Sequence, residues 1–311
     1  MTLNEAFETM VLPCKAIRQG TLSAARTAIK RFTTLVPAVN AMGIEQITSR
    51  ELAMFKVAWA TTKLKPQTFN KQLRHIRGTL RDLFEMDLIT KLPRCKALPE
   101  DDPEVRIADG HEVEQLYLHA AEARWPKNIA TAATDYWRAL IIVAVTTGLR
   151  KSDILNIKKP DVDLSRRVLV YRAVKTGKRR AIPLAPFACD HLAALMDSSP
   201  DGQSLFYSTN SRRQFYREWH RIQKAAGINP PVDVHDLRRT CGSHIYGFAG
   251  LNAASEMLAH SSVAVTRRHY ISTSTAAESL RPAVDSMPNP ADILRRPNPE
   301  KSPPGGPPCQ N

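Results

Sequence analysis

A mainly α-helical chain with one small antiparallel β-sheet is what this sequence predicts, and three stretches predict it. Between residues 66 and 86, Phe69, Leu73, Ile76, Leu80 and Phe84 recur at three- and four-residue intervals, the stripe of an amphipathic helix. Residues 139–145 are apolar on every side, which suits a helix buried in a core. Residues 167–174 and 180–184 are instead rich in β-branched side chains and flank Thr176-Gly177, the pattern of a hairpin.

Taken in order, residues 1–20 carry no pattern, and residues 21–39 and 49–60 read as helices. In the helix of residues 66–86, Pro66 suits the first turn, where its missing N–H costs nothing. Lys71, Arg74, Arg77 and Arg81 fall on a separate flank of that helix, open either to solvent or to phosphates. Residues 91–107 hold Pro93, Pro99 and Pro103 with mixed charges and no periodicity, and read as a linker. Asp109 and Glu112 have capping-box spacing and open the next helix.

After the apolar run, Thr146, Thr147 and Gly148 interrupt the helix and a second one begins, so Arg150 sits at a corner beside a buried element. Lys175 rides the tip of the hairpin. Residues 211–226 form a basic helix containing Arg212, Arg213, Arg217 and Arg221, halted by Gly227 and by Pro230-Pro231. His235 and Arg238, three apart, share a face of the following helix, with Asp236 as its cap and Leu237 and Ile245 toward the core. A short helix is expected over residues 275–284, docked on its own domain or on a neighbouring protomer. The Pro-rich tail from residue 286 is expected to be disordered.

The chain has 311 residues, enough for two domains with their own cores. Lys and Arg total 44 against 30 acidic residues, a net charge of +14. Such a balance favours a polyanionic partner, nucleic acid first. A membrane is disfavoured, since the longest apolar run is far too short to span one. The N-terminus lacks a charged-then-apolar signal pattern, so the chain is expected in the cytoplasm. The five cysteines are scattered without a paired motif, so neither zinc nor a disulfide framework is indicated. The histidines lack metal-site spacing, and there is no Walker loop or acidic cluster, so neither metal nor cofactor is expected.

The chemistry gathers in residues 234–271, where His235, Arg238, His260 and Tyr270 occur together. Arginine forks match phosphate oxygens, histidine donates or carries a proton, and a tyrosine phenol attacks phosphorus once cations favour its ionised form. The set suggests phosphoryl transfer through a covalent protein–phosphate bond.

The order of motifs resembles the tyrosine recombinases, the phage-integrase family: GLRKSDIL, the hairpin with VKTGK, HDLRRT, LAHSS and HYI. The resemblance covers residues 109–274 closely and the first hundred loosely. It implies a helical core-binding DNA-binding domain at residues 1–90, a linker at 91–107, an α+β catalytic domain at 108–285 and a tail at 286–311. It further implies that Arg150 and Arg238 clamp the scissile phosphate and that Lys175 protonates the departing 5′ oxygen. His235 would assist proton transfer, His260 would hydrogen-bond a phosphate oxygen, Tyr270 would form the 3′-phosphotyrosyl link, and Asp153 would support the site. Lys71, Arg74, Arg77, Arg81, Arg212 and Arg213 become candidate DNA contacts. The sequence departs from the family at Ala259, where glycine is usual, and in a His260–Tyr270 interval one residue longer than the commonest.

The expected partners are double-stranded DNA and further copies of the chain, a tetramer on synapsed DNA within the nucleoid. A type IB topoisomerase uses the same chemistry as a monomer, and a non-cleaving DNA-binding regulator uses the same fold.

Overall fold

Four helices build the first part of the chain, and capping boxes or a proline set where three of them begin. The computed structural model describes residues 1–14, 19–100, 106–127, 131–206, 212–258 and 280–294, which include neither His260 nor Tyr270. Two compact units divide at Glu104 and Val105.

The first unit holds α1 (Leu3–Ala6), a π turn over Phe7–Val11, α2 (Gln19–Leu35), α3 (Ser49–Ala60) and α4 (Pro66–Glu85). Helical order at the extreme N-terminus had no periodicity to announce it. It rests instead on Thr2 and Glu5, which cap each other's backbone N–H groups at 3.3 and 2.8 Å. Helix α3 starts in the same way: the Glu51 carboxylate accepts the Thr48 N–H at 2.7 Å. The core between α2, α3 and α4 is aromatic, with Phe55 in ring contact with Phe32 and Phe69 at 5.3 Å each and with Trp59 at 5.8 Å.

The expected α4 stripe needs one correction. Leu83 is buried, and Phe84 is 42% exposed. Buried Gln72 and Thr79 show that the inward arc is centred toward their side, which leaves residue 84 at its edge. After α4 an extended segment returns along this unit. Asn70 binds it as a peptide would, donating to the Leu98 carbonyl and accepting the Leu98 N–H, both at 2.8 Å.

The second unit contains α5 (Gly110–His119), α6 (Ala133–Thr147), α7 (Lys151–Ile154), strands β1 (Val162–Asp163), β2 (Val168–Arg172) and β3 (Arg179–Pro183), and then α8 (Pro186–Ser198), α9 (Arg212–Ala225) and α10 (Val234–Leu258), which is kinked at Gly250, φ +81, so that its end folds back toward its start. Asp109 and Glu112 form the expected capping box, at 2.8 and 3.1 Å. The fold is therefore mainly α with one small antiparallel sheet, ordered β1-β2-β3. Leu169 faces Ile182 and Tyr171 faces Arg180. The two-residue β1 is too short to show alternation, so the sequence revealed the hairpin alone.

Helix α6 is the axis of this unit. Trp137 stacks on Trp219 of α9 at 5.8 Å and donates its indole N–H to the Trp125 carbonyl at 2.6 Å. Leu237, Cys241 and Ile245 place one buried face of α10 against the same core. Asp233, not Asp236, precedes the first turn of α10. Asp236 stands three residues on and accepts the Asp233 N–H at 2.8 Å, so its reach is backward.

Of the helix expected over residues 275–284, only residues 280–284 are described, and they take the own-domain alternative, whereas the expected start of the tail changes. Leu280, Ala283 and Val284 are buried in this unit's own core, and Arg167 holds Asp285 by two 3.0 Å bonds. The disordered tail does not begin at residue 286: Met287 is buried, and Pro290–Leu294 forms a 3-10 turn. Proline fixes φ there, and the Asn289 side chain accepts the Ala291 N–H at 3.0 Å.

Gly148 ends α6 at φ +61, where an added Cβ would lie 2.6 Å from Leu258 and 3.1 Å from the Cys241 sulfur. Substitution Gly148→Ala is expected to lower the unfolding free energy by about 2 kcal/mol, combining left-handed strain with crowding. In contrast, Gly247→Ala, in open space within α10, should stabilise by up to about 1 kcal/mol. Chemical denaturation of both variants checks the pair.

Candidate active site

Arg238 is the one buried Lys or Arg among the described residues of the second unit, 4% exposed on the second turn of α10. Its guanidinium donates to the Gly148 carbonyl at 2.5 Å and to the Leu258 carbonyl. These carbonyls end α6 and α10, so the cation lies where two helices present their partly negative termini. Burial depresses the Arg238 pKa most, and the positive charge of Arg150 depresses it further. The two arginines thus share one electrostatic neighbourhood, although 88 positions in sequence separate them from each other in the folded chain's order 150 to 238.

Arg150 directly precedes α7, half-buried, on the corner that left-handed Gly148 creates. Its side chain makes no hydrogen bond or ion pair among the described residues. Asp153, one turn on, is 2% exposed. One carboxylate oxygen accepts the Val174 N–H at 2.8 Å, and the other is buried without a hydrogen bond among the described residues. That bond ties the hairpin loop to α7 immediately before Lys175. The loop is closed by Gly177 at φ +69, whose N–H donates to the Ala173 carbonyl at 2.7 Å. Lys175 itself is exposed.

Tyr171 on β2 belongs to the same neighbourhood, and no sequence signal marked it. Burial, followed by the Asp153 charge, pushes its phenol up to about 12, opposed by Arg180, Arg238 and Arg150. It therefore stays a neutral phenol at ordinary pH. Cys241 lies beneath Arg238, fully buried, with a thiol likewise pushed up to about 12 by burial.

His235 stands on the first turn of α10 and is exposed. Partial desolvation of the ring, then the charges of Arg239 and Arg238, hold its pKa below the ordinary imidazole value, opposed by Asp233 and Asp236. It is consequently biased to the neutral form that can accept a proton. Among the described residues, no group of three or more His, Cys, Asp and Glu is arranged to hold a metal ion.

The basic helices present distinct surfaces. In the first unit, Arg74, Arg77 and Arg81 line a groove of about 480 Å³ with Asn70 and Glu100, whereas Lys71 lies outside that lining. In the second unit, Arg212, Arg213 and Arg217 are exposed on α9. Arg221 is engaged with Glu218 at 3.5 Å.

The phage integrase family model matches residues 107–276, more than half of the chain. The chain belongs to the phage integrase family. This family member is 29% identical over 155 residues to the tyrosine recombinase XerA of Thermococcus kodakarensis, covering 47% of the chain and 53% of that protein. It thus spans about half the length of the curated relatives it first matches. A lambda integrase (75–356) dimer bound to a COC′ core site superposes with a TM-score of 0.66 at 21% identity, covering 84% of this chain and 93% of that one. A lambda integrase tetramer bound to a Holliday junction gives 0.64 at 21%, covering 87% and 79%. These likenesses show a shared fold.

An NMR titration of His235 in the integrase-family chain should find its midpoint below the usual value of about 6.5. Arg239→Ala should raise that midpoint, since it removes the larger of the two charge repulsions. The stability linked to this group is present above about pH 6.5 and is lost as pH falls through the folded midpoint. A midpoint above the ordinary value would contradict the electrostatics described here.

Proposed function

We propose that this chain is a site-specific DNA recombinase or integrase that cuts and reseals strands through a 3′-phosphotyrosyl intermediate. The single observation that carries the reading is the Arg150–Arg238 neighbourhood. One guanidinium is fixed by two helix termini, the other has no hydrogen-bond partner among the described residues, and burial first, then the Arg150 charge, lowers the Arg238 pKa. A site of this kind gains most from a ligand whose negative charge grows during reaction, as on the oxygens of a phosphodiester under attack.

In this reading the Tyr270 phenol oxygen attacks the scissile phosphorus, and its proton passes to His235. The bond to the 5′ oxygen breaks, and Lys175 donates a proton to that oxygen. Arg150, Arg238 and His260 hold the non-bridging oxygens. Asp153 supports the site by tying the loop that carries Lys175 to α7. The bond formed is another phosphodiester, so cleavage is close to energy-neutral. Rejoining by a second 5′ hydroxyl requires neither ATP nor a metal ion.

Double-stranded DNA is the substrate, gripped through Lys71, Arg74, Arg77 and Arg81 of the first unit and Arg212 and Arg213 of the second. The dimeric and tetrameric lambda integrase complexes support assembly of several protomers, a tetramer at synapsis. The chain would act in the cytoplasm on the nucleoid.

The test uses a nicked duplex carrying the sequence that the protein selects from a randomised pool. Wild type should form an SDS-stable covalent adduct in EDTA without ATP, and Tyr270→Phe should abolish it while DNA binding persists. Arg150→Ala should slow adduct formation by roughly 10²–10³-fold, the range for loss of one preorganised charge stabiliser. Supercoil relaxation without strand exchange would point to a topoisomerase. Absence of any wild-type adduct would point to a DNA-binding regulator.

A further inference from the structure

Lys151 follows Arg150 in the chain and has no part in the chemistry above. Its ammonium lies 4.7 Å from the centre of the Phe215 ring and 4.1 Å from that of Tyr216. It also donates a 3.0 Å hydrogen bond to the Tyr216 hydroxyl. Both rings belong to α9. Phe215 is buried and packs on Trp137 of α6 with ring centres 4.9 Å apart, and Arg212 covers the Tyr216 ring at 5.8 Å.

Helix formation gives no reason for this lysine, because a cation in the first turn opposes the helix dipole. The aromatic cage does give one. Two ring faces attract an ammonium, and a hydroxyl fixes its direction. The backbone turn from Gly148 to Lys151 is thereby held at both ends. Buried Leu149 and left-handed Gly148 hold it on the α6 side, and the caged ammonium holds it on the α9 side.

Arg150 lies between those two anchors, and its guanidinium has no hydrogen-bond partner among the described residues. Its aim is therefore set by the backbone on which it stands. We propose that Lys151 is a positioning residue: its cage on α9 fixes the turn that points Arg150 at the reacting phosphate. The proposal rests on the recombinase reading and deepens it. It adds that α9, the helix bearing exposed Arg212, Arg213 and Arg217, is mechanically tied to the catalytic arginine.

Single-turnover cleavage of the same nicked duplex, at saturating protein, separates the possibilities. Lys151→Met, which fills the cage without charge, should slow cleavage by roughly ten- to a hundred-fold, the scale expected when a catalytic group shifts by about an ångström. DNA affinity and melting temperature should stay close to wild type. Lys151→Arg should recover most of the rate, since a guanidinium stacks on the same rings. Tyr216→Phe, which keeps the rings and loses the hydrogen bond, should fall between.

Cleavage by Lys151→Met at the wild-type rate overturns the proposal and leaves the recombinase reading intact. So does a loss confined to DNA affinity, which would make the lysine a phosphate contact. Failure of Lys151→Arg to recover would show that the caged charge is not the agent. A wild type that never forms the adduct removes the recombinase reading first, and this inference with it.

Discussion

A guanidinium buried between two helix ends is the constraint on which the second unit depends. Arg238 carries a full charge at 4% exposure and, among the described residues, donates to carbonyls at the ends of α6 and α10 and to no carboxylate. Each charge-assisted bond contributes about 1.5–3 kcal/mol, which offsets part of a desolvation penalty of several kcal/mol. Carbonyl dipoles satisfy donors without cancelling the charge. A carboxylate in the same place would satisfy the donors and quench the field. The geometry around it follows: α6 must stop where its last carbonyl faces the arginine, and the left-handed Gly148 makes that stop. The close approach of Leu258 and Cys241 leaves no room for a side chain there.

The surrounding residues extend this arrangement outward. Gly148 turns the chain into Arg150, and Asp153 on the next turn binds the loop that bears Lys175. Three cations of different exposure are thus placed from one short stretch. Arg238 is fixed, Arg150 is aimed by its backbone, and Lys175 is carried on an exposed loop. Tyr171 remains neutral beneath them, so it adds bulk and a hydroxyl without competing for the positive charge. In the proposed reaction, a phosphate between the two arginines would relieve their repulsion.

Much of this was legible in the sequence because it is local. Periodicity located α3 and α4, the Asp109–Glu112 spacing located the start of α5, and the uninterrupted apolar run marked α6 as buried. The Thr-Thr-Gly break placed Arg150 at a corner. What escaped was set by packing. The choice of Leu83 over Phe84 depends on where the neighbouring helices lie, and β1 exists because β2 is there to pair with it. Asp233 stands before the first turn of α10 in the place expected for Asp236, which instead reaches back to the Asp233 N–H, a choice within a four-residue window that propensity alone does not make. Tyr171 and the Lys151–Tyr216 contact join residues distant in sequence. The buried Met287 and the turn at Pro290 show that a proline-rich composition does not exclude order when a core lies within reach. His260 and Tyr270, named from the motif order, lie outside the described residues.

The claim at the centre is that Arg150 and Arg238 act on one phosphate, and a double-mutant cycle on cleavage rate tests it most directly. Arg150→Lys and Arg238→Lys each keep the charge and lose the planar fork. If both forks hold the same reacting group, the double variant should cleave at nearly the rate of the slower single variant, because a unit already broken has little left to lose. Rate losses that simply multiply would show two independent sites and would contradict the account.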